Sequence, residues 1–152
     1  MKIIQVVHSL PDYSKAGTEI YTYQLLKELS NRHEVYCFYR ISNIKMKEYA
    51  MTRKRLDGFI SIAINNTFKD CYSFQDFYKN EQITKKFSEV LDFVKPDIVH
   101  IQHLIFLSTG IIEEASKRGI PIIYTLHDYW LICPQWHFLK HGQTICDGLD
   151  LS

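Results

Sequence analysis

The sequence lacks every short motif that names a chemistry on sight. No Gly-x-Gly-x-x-Gly follows the first strand-like run, which removes an ordinary NAD fingerprint, and no Walker-type phosphate loop occurs. Gly-x-Ser-x-Gly is missing, so a serine elbow of the hydrolase kind is not supported. His-Glu-x-x-His is missing too, and with it the common catalytic zinc helix. No apolar run approaches membrane-spanning length, and the opening Met-Lys-Ile-Ile-Gln-Val-Val-His is too short for a signal peptide and has no small-residue cleavage site. An excess of one charge is also absent: 18 basic side chains face 17 acidic ones, a net charge of +1. Such a balance sets up no broad field, so nucleic acid is not an expected partner. No repeat, low-complexity tract or Gly/Ser linker divides the chain, so one domain over residues 1–152 is expected, in the cytoplasm. Cysteines at 37, 71, 133 and 146 are too scattered for a disulfide framework and read as reduced thiols, with Cys37 and Cys71 inert.

What is present is an alternation of strand-like and helix-like segments. Residues 2–8 form a β-branched run. A loop with Pro11, Asp12 and Gly17 follows, then a helical pattern whose inward face is Thr18, Thr22, Leu25, Leu26 and Leu29. Residues 34–39, Glu-Val-Tyr-Cys-Phe-Tyr, make a second strand and close a right-handed crossover. Residues 42–56 are polar and basic, with Lys45, Lys47, Arg53, Lys54 and Arg55 around Met46, Tyr49 and Met51, and are expected as a short surface helix. That helix reads first as a solvated face and second as a peripheral contact with anionic lipid at the inner membrane surface.

A third strand is expected over residues 58–64 and a helix from about 74 to 94, with Ile83, Phe87, Val90, Leu91 and Val94 buried and Pro96 ending it. Residues 97–102 supply a fourth strand, and Leu107, Ile111, Ile112 and Ala115 an inward helix face that stops at Gly119. Residues 121–127, Pro-Ile-Ile-Tyr-Thr-Leu-His, read as a strand covered on both faces. Phe138-Leu139-Lys140 and Gln143-Thr144-Ile145 flank a turn and suit a small hairpin. The expected class is α/β, a Rossmann-like doubly wound parallel sheet with helices on both faces.

In such sheets ligands bind beyond the carboxyl ends of the strands. That places His127 and Asp128 at the end of one strand and His103 at the end of its neighbour, where imidazoles near neutral pH can bond sugar hydroxyls or phosphate oxygens, the plainer reading being that both histidines pack the loops. His100 reads as a core histidine with a satisfied hydrogen bond. Gly17, where the first helix begins, lets an anion such as a diphosphate approach backbone N–H groups, although the plainer reading is a helix start in which Glu19 favours the first turn. Asp128 either orients His127 or caps the turn after it. Cys133, His137, His141 and Cys146 are zinc-type ligands, but their spacing, Cys-x3-His-x3-His-x4-Cys, matches no common structural site; reduced thiols or a local disulfide is the other reading.

These segments together resemble the amino-terminal, acceptor-side domain of family four retaining glycosyltransferases. The loop from Pro11 to Glu19 is similar to that family's Pro…Gly-Gly-x-Glu loop, with Ala16 where the first glycine usually stands, and His33-Glu34-Val35 is similar to its entry to the second strand. Ile64-Asn65-Asn66-Thr67-Phe68 and Ser73-Phe74-Gln75-Asp76 resemble a subgroup, as do Pro96-Asp97-Ile98-Val99-His100, His103-Leu104 and Thr125-Leu126-His127-Asp128-Tyr129-Trp130.

The resemblance implies the two-domain GT-B architecture and transfer of a sugar from a nucleoside diphosphate sugar to an acceptor hydroxyl, a glycan or a lipid-linked acceptor, with retention and no cofactor or obligatory metal. It implies a catalytic place near the reacting sugar for His127 and a substrate contact at the donor diphosphate for Gly17; Asp128 as a second catalytic candidate and His103 as a substrate contact rest on their strand-tip positions alone. It further implies a C-terminal donor-binding domain carrying a Glu-x7-Glu signature, which this sequence stops short of, so the chain alone is expected to be inactive. A non-catalytic acceptor-binding or interaction subunit with a separate donor-binding partner is the alternative, and a nucleotide-sugar epimerase of the same design is a third reading.

Overall fold

The computed structural model describes residues 1–69, 72–133, 137–140 and 144–146. The elements are β1 (Lys2–Val7), α1 (Gly17–Ser30), β2 (Glu34–Ile41), β3 (Met51–Leu56), β4 (Phe59–Asn65), α2 (Glu81–Val94), β5 (Ile98–Ile101), α3 (Gly110–Lys117) and β6 (Ile122–Tyr124). They build one six-stranded sheet in the order β3-β4-β2-β1-β5-β6. Every neighbouring pair is parallel except β3 with β4. Both faces of the central strands are apolar because both are covered. Ile4, Val6, Phe38, Ile62, Ile64, Val99 and Ile101 pack with Ile83, Phe87 and Leu91 of α2 and Ile111 of α3. Val7, Val35, Cys37, Tyr39 and Ala63 pack on the opposite side with Leu26 of α1. This is the doubly wound arrangement that the alternating pattern predicts, and it brings the carboxyl ends of β1, β5 and β6 together.

The structure departs from the sequence reading in three places. Residues 51–56 form an edge strand, not a surface helix. Asp57 and Gly58, with φ of 38° and 94°, make the tight turn that folds β3 back on β4, with Arg53, Lys54 and Arg55 opposite Ile62, Ser61 and Ile60. A charged edge strand guards the sheet against further pairing, and the amphipathic helix on which the lipid-contact reading stood is absent.

The helix expected from 74 to 94 is broken. Ser73 and Asp76 cap a 3-10 turn, Phe74–Phe77, and the carbonyls of Phe77 and Tyr78 accept instead from the amides of Phe106 and Thr109. The chain re-enters a helix only at Asn80, whose side chain accepts from the Ile83 amide.

β6 is an edge strand of the sheet, not one covered on both faces, and Ile123 is 48% exposed. Its apolar run is therefore not matched by burial on both sides. The small hairpin near the end is present where described: Lys140 and Cys146 donate amides to the carbonyls of Thr144 and Phe138.

Candidate functional site

β5 and β6 each release a histidine where their hydrogen-bonding ends, and β1 does the same with His8. The fixed point between them is Gln102, a fully buried amide just past β5. Its nitrogen donates to Oε1 of Gln5 at 3.0 Å and to Nε2 of His100 at 3.1 Å. Thr125 Oγ1 lies 2.8 Å from that same imidazole nitrogen, so His100 is the satisfied histidine its alternation predicts. With the amide nitrogen committed, Gln102 Oε1 is an acceptor, and it lies 2.8 Å from Nε2 of His127. His127 therefore carries its proton on Nε2 and leaves Nδ1 as a bare lone pair. That nitrogen has no hydrogen-bond partner among the described residues and is not sealed from solvent. Tyr21, projecting from α1, stands edge-on to the imidazole with ring centroids 5.2 Å apart and holds its other side.

Asp128 serves a different histidine from the one beside it in sequence. Its Oδ2 lies 3.2 Å from Nε2 of His103, and its Oδ1 accepts the Trp130 amide at 2.9 Å. It therefore caps the turn, as one of its two sequence readings had it, and orients His103, not His127. The Ile105 amide donates to Nδ1 of His103 at 3.0 Å, which fixes the proton of that ring on Nε2. His103 is 5% exposed with both nitrogens engaged, and the Trp130 ring lies against it at 5.1 Å. It is thus closed off from solvent and leaves no ring nitrogen for a ligand.

Besides Gln102 and Tyr21, two further residues that the sequence did not single out as site residues join this group. His8 bonds Oε1 of Glu19 at 3.1 Å, and its ring stands edge-on to His103 with centroids 5.1 Å apart. Glu19 is only 1% exposed although it lies in the first turn of α1. The signals for them were a histidine at a strand tip and an acid two residues past the helix-start glycine.

Electrostatics follow from burial. Burial lowers all four imidazoles below the usual 6.5. For His8 the neighbouring His103 adds to this and Glu19 opposes it; for His103 and His127 the opposing charge is Asp128. Burial pushes the Glu19 carboxyl up, but the nearby Ser14 hydroxyl, its own amide and His8 outweigh that and hold it below the usual carboxylate range. Near neutral pH the site thus presents neutral imidazoles above a buried carboxylate.

Gly17 is the first residue of α1. Its N-cap, Ala16, has no side-chain acceptor to offer the first amides, and a Cβ placed on Gly17 would meet nothing within 4 Å. The helix start is therefore open, and only a ligand would contest a side chain there. Of the zinc-type set, Cys133 is a buried unbridged thiol and His137 accepts the Leu139 amide at 3.3 Å, while His141 lies outside the described residues, as does Cys71. Among the described residues no three His, Cys, Asp or Glu side chains are grouped so as to hold a metal ion. An apolar cavity of about 390 Å³ between Phe74, Tyr78, Thr109 and residues 130–133 shares Trp130 with the site. A larger open hollow of about 670 Å³ lies at the other end of the sheet, around Lys2, Glu34 and Asp97, away from the strand tips that carry the histidines.

Comparison with known proteins gives the following matches. The family described as Glycosyltransferase Family 4 matches residues 16–145. A Klebsiella pneumoniae protein described as an uncharacterized 42.6 kDa protein in the cps region is 39% identical over 67 residues, 44% of this chain. The match spans 18% of that relative's length. Among solved structures, trehalose-6-phosphate from E. coli bound with UDP-2-fluoro glucose is 14% identical, covers 84% of this chain and 33% of its own, and has a TM-score of 0.49. The OtsA apo structure is 12% identical with the same coverages and a TM-score of 0.46.

Proposed function

The chain belongs to glycosyltransferase family 4, and from that premise we propose that it is the acceptor-side half of an enzyme moving a sugar from a nucleoside diphosphate sugar to an acceptor hydroxyl, with retention at the anomeric carbon. The observation that carries this reading is the disposition of His127. Gln102 fixes its Nε2 proton, so the ring offers the cleft a lone pair on Nδ1, suited to accept from a hydroxyl of the donor sugar beside the reaction centre. An acceptor in a defined place contributes by positioning, which supplies a large share of the barrier reduction in group transfer.

The start of α1, one turn before the Tyr21 that packs on His127, is where the departing diphosphate would rest. Amides of Gly17 and Thr18 would stabilise charge as it develops, an effect that in comparable donor sites reaches about 10²–10³ in rate. No resident cofactor is part of this reading. Asp128 and His103 act in it as positioning groups, since one ring nitrogen of His103 meets Asp128 and the other a backbone amide.

Most donor contacts, in this reading, come from a second domain that faces the strand tips, and residues 1–152 tested without such a domain are expected to bind nucleotide sugar weakly and not to turn over. The acceptor is a glycan or lipid-linked hydroxyl compound, and the enzyme works in the cytoplasm. No helix among the described residues is long and apolar enough to cross a membrane.

A binding subunit with a separately encoded donor-side partner is the second reading. The exposed apolar side chains of Ile123, Leu126, Leu131 and Ile132 along the β6 side favour a covering body there, whether joined or separate. Incubation of the complete protein with nucleoside diphosphate sugars and candidate acceptors tests both. The enzyme reading expects a glycoside with the donor's anomeric configuration, read by NMR. Transfer seen only after a second protein is added establishes the subunit reading, and epimerised donor without acceptor product contradicts both.

A further inference from the structure

Glu19 occupies the third position of α1, where an acidic side chain ordinarily turns to water and gains from the helix dipole without burial. Here it is 1% exposed. A buried carboxylate persists only where bonded partners offset its lost hydration. Its Oε1 accepts from Nε2 of His8 at 3.1 Å, and the nearby Ser14 hydroxyl and its own amide also favour the charged form. The His8 ring then meets His103 edge-on at 5.1 Å and 71°, and His103 donates to Asp128 at 3.2 Å. Asp128 in turn holds the Trp130 amide at 2.9 Å, and the Trp130 ring closes back on His103. One connected line runs from the first turn of α1, past the ends of β1 and β5, to the turn after β6.

We infer that Glu19 is a positioning residue: through His8 and His103 it fixes the Asp128–Trp130 turn that carries His127. The catalytic part of this inference rests on the function proposed above; the positional part does not. Glu19 itself is too buried to touch a substrate. Without its carboxylate, the His8 ring has a buried Nδ1 that is already unpartnered and an Nε2–H with no acceptor. A ring with two unpaired nitrogens turns toward water, as orphaned polar groups do, and leaves the edge of His103 unsupported. His103 then loses its single orientation toward Asp128, and His127 loses the rigid neighbour on its chain. Gln at position 19 keeps an oxygen for His8 and so keeps the line.

The test is ring-nitrogen NMR of the 15N-labelled chain, comparing Glu19→Ala, Glu19→Gln and Val35→Ala, the last a core change on the α1 face with no link to the line. Glu19→Ala is expected to shift and broaden the His103 and His127 ring signals, Glu19→Gln to restore them, and Val35→Ala to leave them unchanged. If Glu19→Ala does not fold, Glu19→Asp, whose carboxylate falls short of His8, is expected to shift the same signals in the same direction. Wild-type His103 and His127 signals in the folded Ala or Asp variant, or equal shifts in Val35→Ala, overturn the inference.

In the complete enzyme, Glu19→Ala is expected to lower kcat about 10- to 100-fold with acceptor KM near wild type, and Gln to recover most of the loss. An unchanged kcat in Glu19→Ala overturns the catalytic part. Ring signals that shift and recover as stated in a protein showing no sugar transfer leave the positioning intact and overturn the function.

Discussion

Nε2 of His103 stands 3.2 Å from Oδ2 of Asp128, so the aspartate beside His127 in sequence serves a histidine 25 residues away. The same carboxylate receives the Trp130 amide. Asp128→Ala therefore removes a turn cap and a histidine partner at once. Because the carboxylate is about one-third exposed, solvent screens part of the pair, and the expected loss is about 1–2 kcal/mol, read from urea unfolding midpoints. Asp128→Asn, which keeps an acceptor for Trp130, is expected to lose less than half of that. Equal stabilities for Ala and wild type would mean that the turn holds itself.

Gln102 is fully buried and joined to Gln5, His100 and His127. Gln102→Leu keeps the volume but strands Gln5 Oε1 and the His127 proton. Each stranded group costs about 1–3 kcal/mol, so chemical unfolding is expected to show a loss of about 2–4 kcal/mol. His127 is also expected to change tautomer balance in ring-nitrogen NMR, whereas an undisturbed ring would remove Gln102 from its assigned part.

Acid lability follows from the lowered imidazoles of His8, His100, His103 and His127. Their folded values lie below the unfolded 6.5, so on acidification the unfolded chain takes up protons first. The stabilisation is complete above the unfolded value and is lost as pH falls below it, down to the folded values. Each histidine contributes a slope of at most about 1.4 kcal/mol per pH unit. Stability measured by urea unfolding between about pH 7 and pH 5 is expected to fall, and substitution of His8 and His103 by Gln to flatten the fall. A flat wild-type profile would contradict the neutral-imidazole picture.

Glycine positions separate folding from ligand approach. At Gly17 a new Cβ meets nothing, and Gly17→Ala is expected to leave stability unchanged or raise it by about 0.5–1 kcal/mol. Any loss of transfer in that variant then reports a ligand pressed against the start of α1. Gly58→Ala differs, because its φ is +94° and its Cβ would lie 2.6 Å from Ser30 Oγ. It is expected to lose about 1–3 kcal/mol by thermal or urea unfolding. A destabilised Gly17→Ala would mean that the helix start is strained in a way its geometry does not reveal.

Much of this was legible in the sequence because burial on two faces leaves a plain mark. The apolar runs of β1, β2, β4 and β5 and the stripe Ile83-Phe87-Val90-Leu91-Val94 declared the layers and the strand tips where His103 and His127 emerge. The edge strand β3 was missed because its charged residues mimic a solvated helix; the Asp57-Gly58 turn signal was there to correct it. The break before α2 was not legible, since it depends on carbonyls of Phe77 and Tyr78 meeting a loop some thirty residues on. Nor was the pairing inside the site. Adjacency suggested Asp128 with His127, but the pairing is made between the two loops past β5 and β6, where His127 finds Gln102 and Asp128 finds His103.

The most direct test is the transfer rate of the complete enzyme carrying His127→Ala, measured at saturating nucleoside diphosphate sugar and acceptor. Loss of the Nδ1 acceptor is expected to lower kcat by about 10²–10³ while the fold, followed by circular dichroism, stays intact. A folded His127→Ala enzyme with the wild-type rate would contradict the account.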